Sequence, residues 1–113
     1  MRVFDFFQYQ HSTAVTAKYP TDGLNGLLYT ALGLASEAGE VAGKVKKILR
    51  DDNGELTEEK KMQLVDELGD VLWYCSQFAS EMGESLEYVA RRNIMKLQDR
   101  NDRGVIGGSG DNR

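Results

Sequence analysis

At 113 residues the chain suits one domain and is too short for two sizeable cores. Its formal net charge of −4 argues against a nucleic-acid partner, which would call for a basic face. No basic-then-apolar leader follows Met1, and no apolar run nears the roughly 18 residues that suggest a membrane span, so a cytoplasmic chain with no membrane partner is expected.

One proline, Pro20, leaves long uninterrupted stretches, which favours helices over strands. Cys75 is the sole cysteine, so no internal disulfide can form, and its apolar surroundings suit a buried thiol.

The first predicted helix runs from Phe4 to Tyr19, carries Phe4, Phe7, Ala14, Val15 and Tyr19, and is stopped by Pro20. Thr13, Val15 and Thr16 weaken it, because branching at Cβ restricts the side chain in a helix. The second spans Leu24 to Arg50. Its Leu24, Leu28, Ala31, Ala35, Ala38, Ala42, Val45 and Leu49 recur in steps of four and three, the stripe of a helix packed on other helices. Lys44, Lys46, Lys47 and Arg50 complement the dipole at its C-terminal end, and Asp51 to Gly54 break it.

Thr57 suits the N-cap of a third helix, with Glu58 and Glu59 in its first turn. Leu64, Leu68, Val71, Cys75, Phe78 and Met82 form its stripe, and Gly83 ends it. Ser85 caps a fourth helix, which reaches about Asn101 with Leu86, Val89, Ala90, Ile94 and Leu97 on one face. The expected architecture is all-α, a compact four-helix bundle forming a single domain over 1–103, followed by a flexible glycine-rich tail over 104–113.

Two acid pairs carry the chemistry: Glu37 and Glu40 on the second helix, Glu67 and Asp70 on the third. Residues at i and i+3 lie about 60° apart around a helix, so each pair can reach one point beside it. The pairs bracket the stripe residues Ala38 and Leu68, at the border of the faces predicted to pack. Four converging anions repel one another unless a cation compensates, and oxygen donors without histidine suit Mg²⁺ or Mn²⁺. A di-iron bundle needs ExxH pairs, whereas the sole histidine, His11, lies outside both pairs. Gly39, Gly43 and Gly69 sit inside helices at a cost of about 1 kcal/mol each relative to alanine. A close approach of backbone or ligand would account for them.

The runs Gly33-Leu34-Ala35-Ser36-Glu37-Ala38-Gly39-Glu40-Val41 and Asp66-Glu67-Leu68-Gly69-Asp70-Val71-Leu72-Trp73-Tyr74 resemble those of the MazG-like nucleotide pyrophosphohydrolases, an all-α superfamily. The resemblance covers roughly Leu24 to Arg103. It implies Mg²⁺-dependent hydrolysis of nucleoside triphosphates to a monophosphate and pyrophosphate, by a homodimer or a dimer of dimers. Glu37, Glu40, Glu67 and Asp70 would then be the metal ligands, and Tyr74 would face the nucleotide. Asn93, Lys96 and Arg100 look like the basic C-terminal positions of the family.

The residues agree with that chemistry. A carboxylate not fully engaged with metal can accept a proton from water, and Glu40 and Glu37 are both candidates. Lys44 and Lys47 follow Glu40 on nearly the same face and can meet phosphates, although Lys44 can equally pair with Glu40. Asn93, Lys96 and Arg100 share a face of the last helix. Tyr29, Trp73, Tyr74 and Phe78 can stack on a base or simply fill the core. The competing class of function is a non-catalytic helical oligomerisation module. It gives no reason for acids at two packing borders.

Overall fold

The computed structural model describes residues 4–113; Met1, where a leader would begin, lies outside them. All of the regular structure among the described residues is helical: α1 (Phe6–Val15), α2 (Asn25–Asp51), α3 (Glu58–Glu81) and α4 (Leu86–Asp102). No helix among them is long and apolar enough to cross a membrane.

Local chemistry sets the helix ends. Thr57 accepts from Lys60 N at 3.2 Å and Ser85 accepts from Tyr88 N at 3.0 Å, each satisfying an amide with no partner inside its helix. Asp5 does the same for Gln8 N at 2.8 Å. Gly83 stands at φ 74° after α3, while Glu84 N returns to Ala79 O at 2.9 Å. The first helix ends at Val15, earlier than its apolar pattern predicts, because Thr16 turns its hydroxyl and amide back onto Thr13 O.

α2 and α3 form a long hairpin; α1 crosses α3, and α4 leans on α1 and α3. Among the described residues α4 does not reach α2. The radius of gyration is 17.1 Å, against about 13 Å for a compact chain of this size. The all-α, four-helix class therefore holds, with the helices spread more openly than a closed bundle.

The packed face of α2 differs from the predicted one, whereas most of the predicted stripe of α3 is turned inward. α2 turns Leu27, Thr30, Leu34, Glu37, Val41, Lys44 and Ile48 toward α3, buried or half-buried. The predicted stripe of α2 is exposed throughout, including Leu28 at 56% and Leu49 at 68%. On α3, Leu64, Val71, Cys75 and Phe78 are half-buried, while Leu68 is 61% exposed. Among the apolar side chains of the described residues only Ile48, Ala79 and Leu86 are buried.

Polar contacts anchor α1, which at ten residues is too short to be stable alone. The buried Thr13 hydroxyl donates to Gln77 Oε1 at 2.7 Å and lies 2.8 Å from the Ser76 hydroxyl. Gln10 Nε2 donates to Ser80 Oγ at 2.8 Å, and Gln10 Oε1 accepts from Leu86 N at 2.8 Å. One glutamine thus ties α1 to both α3 and the start of α4.

Candidate metal centre

The seam between α2 and α3 places Glu37 opposite Glu67 and Asp70, and one carboxylate oxygen from each lies within 4.8 Å of the others. Helical spacing aligns Glu67 with Asp70, and the hairpin supplies Glu37. Glu40, one turn beyond Glu37, is exposed and stands outside this trio. Lys44 Nζ lies 3.7 Å from Glu67 Oε1, so its partner is Glu67 rather than the Glu40 of its own helix.

The Glu37 carboxyl holds its proton more tightly than an ordinary glutamate, first through desolvation, then through Asp70, Glu67 and Glu40. The negative charges thus oppose one another, as a site intended for a cation would arrange them. The donors are all carboxylate oxygens, with no histidine or cysteine among them, which fits a hard ion such as Mg²⁺ or Mn²⁺.

A hollow of about 320 Å³ adjoins the acids, lined by Thr16, Glu37, Asp70, Trp73 and Tyr74. The Trp73 indole N–H donates to Thr16 Oγ1 at 2.9 Å, and its ring meets Tyr74 edge-on, 4.9 Å between centroids. Tyr19 stacks on Tyr29 at 4.9 Å behind them. Burial raises the Tyr74 phenol above its usual range, with Tyr29, Glu37 and Asp70 adding to the effect, so the ring stays protonated beside the acids.

Gly33 explains how Tyr74 fits. A Cβ at Gly33 would collide with the Tyr74 ring, and one at Gly26 would meet the Glu81 carboxyl. Gly39, Gly43 and Gly69, the glycines singled out from the sequence, have nothing within 4 Å of where a Cβ would stand. The close approach belongs to other glycines, facing α3 rather than set between the acids.

The remaining predicted residues lie apart from the acids. Lys47 is exposed on α2, outside the hollow. Asn93 and Lys96 line a second hollow of about 640 Å³ with Met82, Tyr88, Val89 and Met95. Arg100 is buried against the C-terminal segment. One protomer therefore does not bring these three to the acids. Thr16 was not foreseen, because its position depends on where α1 ends and crosses α3, which no local pattern encodes.

Residues 26–105 match the profile of the MazG nucleotide pyrophosphohydrolase domain. The chain belongs to this family. The matched MazG span includes all four acids and the Asn93, Lys96 and Arg100 face, and leaves out Thr16. The chain is also similar to the Gene 37 protein of Mycobacterium phage L5, 52% identical over 109 residues, which cover 93% of this chain and 96% of that protein. No solved structure shows a significant match.

Proposed function

We propose that this MazG-family chain hydrolyses (deoxy)nucleoside triphosphates to the monophosphate and pyrophosphate with Mg²⁺, or Mn²⁺ in its place, clearing or adjusting a nucleotide pool. The observation that carries this reading is the approach of Glu37, Glu67 and Asp70 to within 4.8 Å beside an aromatic-walled hollow. A bound Mg²⁺ supplies charge for the phosphate oxygens and lowers the pKa of a nucleophilic water.

Glu37, Glu67 and Asp70 hold that cation. Glu40, outside the trio, is free to accept the proton of the attacking water; Glu37, with its raised proton affinity, is the second candidate. Lys44 and Lys47 add positive charge along α2, and Tyr74 and Trp73 border the nucleoside. Asn93, Lys96 and Arg100 meet phosphates from a second copy, since α4 does not reach α2 within one protomer.

The functional unit in this reading is a homodimer or a dimer of dimers. The exposed outer stripe of α2, with Leu68 on α3 and Ile94 and Met95 on α4, supports it, because so much apolar surface stays in water on a lone protomer. A non-catalytic helical module would account for those faces. It would leave three carboxylates crowded into a helix seam without a reason.

A screen of the eight standard nucleoside triphosphates with product analysis tests the activity. The expected products are a monophosphate and pyrophosphate, formed with Mg²⁺ and abolished by EDTA. Orthophosphate as the first product, or no turnover of any of the eight, would sink the proposal.

A further inference from the structure

The segment after α4 turns back on the helix. Gly104, Gly108 and Gly110 take φ of 73°, 90° and 83°, a region open to glycine at no steric cost. Arg113 closes the loop: its guanidinium donates to Ile106 O at 3.2 Å and to Gly110 O. Arg103 Nη2, at the end of α4, donates to Arg113 O at 2.7 Å.

This path returns Asp111 to the face of α4 that carries Lys96 and Arg100. Asp111 Oδ1 lies 3.1 Å from Lys96 Nζ and 3.1 Å from Arg100 Nη2, and Asp111 O accepts from the same Nη2 at 3.0 Å. The Arg100 side chain is only 5% exposed, whereas positions 91 to 99 of the same helix are all exposed. Its hydrogen bonds among the described residues go to Asp111 alone. The two cations hold the Asp111 carboxyl below the usual aspartate range, Lys96 contributing first.

Two cations converging on one oxygen is the arrangement that binds a phosphate oxygen as readily as a carboxylate. One carboxylate offers a single negative charge to two positive ones, and a polyphosphate offers more. We propose that Lys96 and Arg100 form a polyphosphate-binding site which the C-terminal loop keeps filled with its own Asp111 carboxylate. The loop is then a tethered competitor, present at high local concentration, that an incoming polyphosphate has to displace. The apparent affinity falls by the fraction of chains in which the loop is docked. Binding of the anion stands on this geometry alone; the consequence for turnover rests on the pyrophosphohydrolase reading.

Pyrophosphate titrated calorimetrically in EDTA tests the site, because the metal-free acid cluster repels anions and does not contribute. Asp111→Asn is expected to tighten pyrophosphate about 5- to 10-fold over the unaltered chain. Asp111→Glu, which keeps the carboxylate, should stay near the unaltered value, and Lys96→Gln added to Asp111→Asn should remove the gain. Arg103→Gln frees the loop end without touching the site and should tighten binding in the same direction, which keeps the test decisive if Asp111→Asn folds poorly. Equal affinity in the unaltered chain, Asp111→Asn and Arg103→Gln would overturn the proposal. Mg²⁺-dependent turnover of the same proteins separates the two readings. Tighter pyrophosphate binding with no hydrolysis of any triphosphate would uphold the loop and refute the activity; hydrolysis with unchanged pyrophosphate affinity would do the reverse.

Discussion

On the inner face of α2 the sequence runs Leu27, Thr30, Leu34, Glu37, Val41, Lys44, Ile48. One residue on, and so about 100° around the helix, the outer face runs Leu28, Ala31, Ala35, Ala38, Ala42, Val45, Leu49. The outer series is the more apolar, yet it stands in solvent on the protomer, while the inner series carries a glutamate and a lysine into contact with α3. A charged inner face and an apolar outer one reverse the usual order of a folded monomer. That reversal separates two tasks: the inner seam concentrates carboxylates beside the hollow, and the outer stripe is left exposed, as the oligomer proposed above requires.

The largest effect should come from the inner face. Glu67→Gln and Asp70→Asn are each expected to lower pyrophosphate release by roughly 100-fold or more, because an amide is a poor ligand for a hard cation. Both should also remove the rise in melting temperature on adding Mg²⁺. Glu40→Gln should lose comparable activity yet keep the Mg²⁺-dependent rise, since Glu40 lies outside the trio. Equal loss of the thermal shift in Glu40→Gln would make Glu40 a ligand and place the water-activating role elsewhere.

On the outer face, Leu28→Glu is expected to break the oligomer. Leu28 is 56% exposed, so on a lone protomer the change should cost within about 0.5 kcal/mol. In a dimer it puts a charge into an apolar interface. Light scattering should show the mass falling from a multiple of the protomer toward 12.6 kDa at micromolar concentration. An unaltered chain already at that mass would leave the outer stripe without a partner.

How much of this was legible follows from the same two faces. The third and fourth helix starts were readable because Thr57 and Ser85 act within one turn of their own chain. Which face of α2 meets α3 was not, because the apolar pattern occurs twice, one residue apart, and the more apolar copy drew the assignment. Glu37, Glu67 and Asp70 nevertheless meet, because acids placed beside one stripe fall on the face next to it. The sequence signal for glycine was misplaced for a similar reason. Helix interiors disfavour glycine wherever it lies, so composition alone does not separate Gly33, which faces the Tyr74 ring, from Gly39, which meets nothing. The loop over Arg100 was unreadable, since its docking depends on Asp111 returning across positive-φ glycines to a helix that ended nine residues earlier.

Those two glycines give the finest test of the comparison. Gly33→Ala places a Cβ against the Tyr74 ring, which is stiff and half-buried, so the ring or α2 has to shift. Overpacking of this kind costs about 1–3 kcal/mol, only partly offset by the roughly 1 kcal/mol that alanine gains over glycine in a helix. Gly39→Ala meets open space and keeps the helix gain, so it should raise the melting temperature slightly. Opposite signs for the two substitutions are therefore expected in thermal unfolding, and Gly33→Ala alone should also disturb activity, through displacement of Tyr74 from the hollow. A fall in stability for Gly39→Ala as large as that for Gly33→Ala would mean that another chain packs against Gly39. The outer surface of α2 would then reach to the acid pair itself, and the two faces would share the site.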